Sequence, residues 1–313
     1  MRVLITGASG FTGRVMVRYL TSRSNVEIAC LARTDNPGLF RSARISWFFA
    51  DLLDRDALVS AVSSAEPDAV LHLAGLTRGT LPLLQAANIK GTKNLLDAAL
   101  SRDPSCPVVV VSSSAVYGYA GTAPIQESCP LQPVSDYGIS KAGQEALCRQ
   151  YIGAGKGRIA IARPFNLVGT GQPDSFVCGR IIKQVIEIEK GKREVLDLME
   201  TGSFRDFIDV RDVVQGYWSI LSHPEFDRVC SGNTYNLGSG EPKSIADVIY
   251  ILEEITGETY SIRLPEEPVP VLVPCQRSDN RRISAATGWK AAIPLSTSLR
   301  DMLDAARNQA GVS

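Results

Sequence analysis

Tyr137 stands four residues before Lys141 in SDYGISK (135–141). On a helix, positions i and i+4 share one face. The ammonium would then lie near the phenol oxygen and favour phenolate over phenol. A free tyrosine titrates near 10, so it donates protons readily but is rarely a base at neutral pH. Lowering that value by about 3 units takes roughly 4 kcal/mol of differential stabilisation. Two cations in a partly dry cleft, Lys141 and an oxidised nicotinamide ring, are expected to supply it. A second source of chemistry is SSSAVYG (112–118), directly after an apolar run. A serine hydroxyl at the carboxyl end of a strand can donate a hydrogen bond to a carbonyl or alkoxide. Serine, tyrosine and lysine together, with hydride exchanged at a nicotinamide, interconvert an alcohol and a ketone.

The cofactor signal lies at the start of the chain. TGASGFTG (6–13) places Gly7, Gly10 and Gly13 in a GxxGxxG spacing, after one candidate strand and at the opening of a helix. Glycines let backbone approach a pyrophosphate, whose charge meets the N–H groups of the helix N-terminus. At the end of the second strand, CLARTD has Ala32 where a carboxylate would select NAD, and Arg33 next. An arginine there suits a 2′-phosphate by charge and fork geometry, so NADP(H) is favoured and NAD(H) stays possible, with Asp35 close by. Asp51 and Leu52, after the third strand, sit where an adenine could lie; a helix cap at Asp51 is the competing reading.

These residues need a frame to hold them. RVLIT (2–6), VEIACL (26–31), ISWFF (45–49), AVLHL (69–73), PVVVVS (107–112) and RIAIA (158–162) read as strands, with helices near 11–22, 54–64, 81–101 and 137–152. The alternation predicts an α/β fold with a parallel sheet covered on both faces. The second half is less regular. A helical stripe runs through 176–192, a helix opens on Ser244 and stops at Gly257, and the proline-rich 264–274 reads as loop with a short edge strand.

Composition narrows the function classes. Lys+Arg and Asp+Glu both total 33, which speaks against a nucleic-acid surface or a polybasic membrane anchor. The first residues lack the pattern of a signal peptide, and the longest apolar run is too short to span a bilayer. Seven cysteines without a CxxC pair and two histidines fit neither a zinc site nor a disulfide framework. A cytoplasmic protein with reduced thiols is expected.

The ordered set also carries a resemblance. TGASGFTG, DLLD (51–54), HLAG (72–75), NIKGTKNLLDA (88–98), SSSAVYG, YGISK (137–141), RPFN (163–166) and SFRDFIDVRDVV (203–214) resemble extended short-chain dehydrogenase/reductases of the nucleotide-sugar epimerase/dehydratase type, over nearly the whole chain. Within them, RPFNLVGTGQPDSFV, KQVIEIEKGK and FRDFIDVRDVVQGYW are most similar to GDP-4-keto-6-deoxy-mannose reductases, which form GDP-rhamnose with NADPH or NADH. The resemblance implies a Rossmann-type doubly wound sheet (1–165, also receiving 206–236) and a smaller mixed α/β substrate domain (166–313). It makes Ser113 the hydroxyl donor, Tyr137 the acid/base and Lys141 its partner. It adds Phe11, Leu73, Ala74, Gly75 and Pro164 to the dinucleotide contacts, and Thr77, Ser114, Asn166 and Arg205 to the sugar-nucleotide contacts. Ser114 and Ala115 stand where 4,6-dehydratases carry an acidic pair, which leaves a reductase or an epimerase. An arginine expected near Pro265 is missing; either Arg263, Arg277 or Arg281 replaces it, or nothing does. A UDP-hexose 4-epimerase with retained NAD, and a non-catalytic NADP-binding regulator, are the alternative readings. Relatives pair helices such as 81–101 and 137–152 into a homodimer, and Leu95, Leu96, Ala146 and Leu147 are the apolar positions available for it.

Overall fold

The computed structural model describes residues 1–35, 40 and 42–311. The strands of the first half are β1 (Arg2–Thr6), β2 (Glu27–Ala32), β3 (Ile45–Phe49), β4 (Ala69–His72), β5 (Pro107–Val111) and β6 (Arg158–Pro164). Those of the second half are β7 (Asn166–Val168), β8 (Leu196–Asp197), β9 (Phe204–Asp209), β10 (Thr234–Leu237), β11 (Pro242–Ser244) and β12 (Ile262–Arg263). The helices are α1 (Phe11–Thr21), α2 (Arg55–Ala65), α3 (Leu81–Gln85), α4 (Gly91–Arg102), α5 (Asp136–Gly153) and α6 (Val177–Glu189). They continue as α7 (Val210–Leu221), α8 (Phe226–Val229), α9 (Ile245–Thr256), α10 (Arg281–Thr287) and α11 (Leu295–Ala310).

Apolar runs in the strands become a seven-stranded sheet in the order β10-β6-β5-β4-β1-β2-β3, every pair parallel. Val3 and Ile5 face one core layer, with Met16, Val17 and Leu20 of α1 and Val213, Val214 and Ile220 of α7. Leu4 faces the other, with Leu58 of α2, Leu95 and Leu96 of α4 and Cys148 of α5. Strand side chains alternate between faces, so a sheet covered twice needs unbroken apolar strands. The chain runs outward from β1 to β3 on one side and from β4 to β6 on the other. This leaves a switch point between β1 and β4, where open α/β sheets bind ligands beyond the strand ends.

The smaller part holds a three-stranded sheet, β11-β9-β7, and a β12-β8 pair. Its own core is built from α6, α9 and α11 residues such as Ile181, Val248 and Leu299. Ser244 caps α9 in a reciprocal capping box with Asp247, and Gly257 ends it in a left-handed conformation. Both end signals were readable.

Two expectations need adjustment. The helix at 81–101 is not one uniform α-helix: a π-helical turn at Ala86–Lys90 separates α3 from α4. The wide turn carries Asn88 inward, where its amide bonds the backbone of Leu76 and Ser140 Oγ. The proline-rich 264–274 contains no strand; the pairing falls just before it, at β12, because proline cannot donate to a ladder. Of the residues proposed for a dimer face, Leu95 and Leu96 are wholly buried in the chain's own core, Ala146 is exposed and Leu147 half-buried. No helix among the described residues is long and apolar enough to cross a membrane.

Candidate active site

The glycine turn leaves β1 at Thr6. Gly7 has φ +70°, and a Cβ there would lie 2.8 Å from the Ala74 nitrogen. Only glycine permits both that backbone and that approach. Gly13 packs as tightly, since its Cβ would sit 2.1 Å from the Gly7 oxygen. Gly10 differs. Its Cβ would meet nothing within 4 Å except the Gly7 oxygen at 3.2 Å, so open space lies above it. Gly10 is the N-cap of α1, with no side-chain cap and no acid in the first turn. The N–H groups of this turn are therefore open to an anion.

The reactive side chains come from β5 and α5. Ser113 caps the short turn Ser114–Val116, its Oγ accepting from the Ala115 nitrogen at 3.2 Å. Ser135 Oγ accepts from the Gly138 nitrogen and starts α5. A Cβ on Gly138 would lie 2.6 Å from the Ala115 oxygen, so the glycine after Tyr137 lets α5 close onto the Ser113 turn. Tyr137 shares a hydrogen bond with Ser113. Burial raises the Tyr137 pKa above its ordinary value, and the Ser113 bond only partly offsets it. Lys141, one of the two cations on which the expected lowering rests, does not offset that burial. The reason is where the ammonium goes: Lys141 Nζ donates to the Val111 oxygen at 2.7 Å and to Gln144 Oε1 at 2.8 Å. Burial brings Lys141 down to about 8, against the pull of Glu145.

Behind Lys141 runs a chain of buried polar groups. Gln144 Nε2 donates to Thr92 Oγ1 at 2.7 Å, and Thr92 Oγ1 donates to the Asn88 oxygen. That hydroxyl has spent its proton, so it accepts from His72 Nε2 at 2.9 Å. His72 Nδ1 then accepts from Thr6 Oγ1 at 2.7 Å, and Thr6 Oγ1 accepts from the Ala74 nitrogen. His72 is neutral, burial holding its pKa down to about 3. The chain ties Lys141 to the glycine turn. A second network braces the ends of β5 and β6. Arg163 grips Glu145 with Nε at 2.8 Å and a terminal nitrogen at 2.6 Å, Ser112 Oγ donates to the same carboxylate, and Arg163 also reaches the Tyr117 hydroxyl.

One cavity of about 650 Å³ gathers the two halves of the site. Gly7, Gly10, Phe11, Gly13, Leu73 and Gly75 line it at one end; Ser113, Ser114, Tyr137, Lys141, Pro164, Asn166 and Thr77 line the rest. Ala74 lies just behind, bonded to Thr6. Besides Ala74, four predicted residues stay outside the lining. Arg33 is exposed past the end of β2. Asp51 is exposed and accepts from the Leu53 nitrogen, while the cap of α2 is Asp54. Leu52 packs beside Gly91. Arg205 is half-buried on β9 and donates to the Phe204 oxygen; burial lowers its pKa. It pairs with neither neighbouring acid: Asp206 is held by Ser239, Gly240 and Ser278, and Asp209 by Arg211 and Ser298.

None of the suggested replacement arginines lines this cavity, though Arg263 lines a depression that shares Arg78 and Ser175 with it. Arg263 pairs with Asp197, Arg277 donates to the Gly240 oxygen, and Arg281 pairs with Asp279. Gln276 arrives instead. It is buried in the lining, donates to the Ser114 and Gly118 oxygens at 3.2 Å, and accepts from Ser114 Oγ at 3.3 Å. Sequence reasoning missed Gln276, and it also missed Gln144, Glu145 and Tyr217. Gln144 and Glu145 had a local signal, three and four residues past Lys141 on one helix face. Gln276 had none.

The sequence pattern of the NAD dependent epimerase/dehydratase family matches residues 3–238. The chain belongs to that family. Among curated members it is 34% identical to GDP-6-deoxy-D-mannose reductase of Pseudomonas aeruginosa, over 96% of each chain. It is 26% identical to UDP-glucose 4-epimerase of Bacillus subtilis, over 93% of this chain and 92% of that one. The structure of RMD from Pseudomonas aeruginosa complexed with NADPH is similar at a TM-score of 0.85 and 31% identity, covering 98% of this chain and 99% of the other. UDP-glucuronic acid 4-epimerase from Bacillus cereus, in complex with UDP-glucuronic acid and NAD, gives 0.88 and 25% over 99% and 100%. The family fits the glycine turn, the Ser113–Tyr137 contact and the cavity that joins them.

Proposed function

We propose that this member of the family reduces the C4 ketone of a nucleotide-linked 4-keto-6-deoxy sugar, with GDP as the nucleotide and GDP-rhamnose as the product. The observation that carries the reading is the meeting of Ser113, Tyr137 and Lys141 in the cavity that opens onto the glycine turn. NADP(H), or NAD(H) in second place, supplies the hydride when bound. Arg33, and the absence of an acid at Ala32, support the 2′-phosphorylated form.

Ser113 polarises the ketone oxygen. Tyr137 delivers the proton, and its raised pKa keeps the phenol protonated for a reduction. Lys141 spends two of its three N–H groups on Val111 and Gln144, leaving the third for a ribose hydroxyl, while its charge favours the phenolate that forms. Elimination of water would need an acid and a base beside Ser113; Ser114 is tied to Gln276 and the Ala115 side chain has no polar atom. The free amide nitrogen of Asn166, buried without a partner, supports a contact to the sugar diphosphate. Arg205 serves the same ligand from β9. A second depression, shared through Arg78 and Ser175 and lined also by Arg180, Lys183 and Arg193, supports a place for the rest of the nucleotide. Exposed Leu83 and Ile139 on α3 and α5 support a homodimer, for which light scattering should return twice the chain mass.

The test is purified protein with GDP-4-keto-6-deoxy-mannose and NADPH or NADH. Stoichiometric loss of the reduced nicotinamide supports the reductase. The similarity to UDP-hexose epimerases defines the competing result: tightly held NAD, interconversion of UDP-hexoses and no net cofactor consumption.

A further inference from the structure

Tyr217 lies in the middle of α7, wholly buried at the face that packs on the sheet, and it lines the cavity. Its hydroxyl is buried and has no hydrogen-bond partner. A buried tyrosine hydroxyl usually finds one. The group stays neutral, because burial drives its pKa up and the nearby Tyr137 adds to the effect. Its surroundings are apolar: Phe11, Leu73, Val111 and Leu167 pack on the same core layer and line the same cavity. This wall extends from the glycine turn toward Tyr137. The polar lining includes Thr77, Arg78, Asn166 and Gln276.

A dinucleotide with its pyrophosphate at the glycine turn and its redox ring beside Tyr137 would place that ring along the apolar wall. The nicotinamide ring carries one polar substituent, a primary carboxamide that both donates and accepts. We propose that the Tyr217 hydroxyl is the partner of the nicotinamide carboxamide and so fixes the rotation of the ring beside Tyr137. The assignment rests on the dinucleotide reading above and goes beyond it by naming a residue outside the motifs that suggested it.

Tyr217→Phe removes only the hydroxyl. Because that group has no partner in the ligand-free protein, the variant should melt at the same temperature as the wild type or higher. Calorimetric titration should show NADPH bound about five- to tenfold more weakly. It should show 2′-phospho-ADP-ribose, which lacks the nicotinamide, bound as tightly as by the wild type. Equal weakening of both ligands, no weakening of either, or a lower melting temperature of the ligand-free variant would overturn the assignment. A wild type that binds neither ligand would instead sink the dinucleotide reading itself.

Discussion

The two sides of the cavity are built on different principles. Behind Lys141, the described polar side chains from Thr6 through His72, Thr92 and Gln144 to the Arg163–Glu145 pair are all hydrogen-bonded inside the protein. On the opposite side, Asn166 keeps an unpartnered amide nitrogen. Among the described residues, Arg78 in the lining, and Arg180 and Arg205 beyond it, donate only to backbone oxygens and make no ion pair. The first side is finished before any ligand arrives; the second waits for one. Catalytic geometry must be held in advance by groups that cannot move. Recognition of a charged ligand uses cations whose partners come with the ligand.

Four substitutions test that division. Tyr137→Phe should cut turnover by about 10²–10⁴-fold while leaving dinucleotide affinity and melting temperature near wild type; measurable turnover at the wild-type rate would remove Tyr137 from the chemistry. Arg163→Met strands the buried Glu145 carboxylate and should cost about 3–5 kcal/mol in urea unfolding. A loss below 1 kcal/mol would mean that the scaffold side is no more committed than the recognition side.

His72 gives the scaffold a pH signature. Its folded pKa, about 3, lies below its unfolded value near 6.5, so the unfolded chain binds more protons between those limits. Stability is then lost as pH falls from about 6.5 toward 3, by up to about 1.4 kcal/mol per pH unit. His72→Gln should flatten that slope, as read by urea titrations at several pH values; an unchanged slope would assign the acid sensitivity to carboxylates. The smallest effect belongs to the recognition side. Arg205→Ala should raise KM for the sugar nucleotide roughly tenfold and change unfolding free energy by less than about 0.5 kcal/mol. A large stability loss there would erase the contrast.

Much of the scaffold was legible because its signals are local. The unbroken apolar run VLI, the end signals at Ser244 and Gly257, and the Tyr137–Lys141 step each depend on the geometry of a single element. The recognition side was read less well. Asp51 is not the helix cap, and none of the three candidate arginines lines the cavity, although Arg263 lines the adjoining depression.

The order of strands and helices, the glycine turn and the Ser–Tyr–Lys set are properties of short spacings, and the amino-acid sequence alone determined them. Gln276 meets Ser114 across 162 residues, and Tyr217 reaches the cavity only because α7 returns to the large sheet. Such contacts depend on how separate elements pack, and packing answers to the shape and burial of every neighbour at once. Only the tertiary structure could decide which polar groups end up satisfied and which are left facing the cavity without a partner.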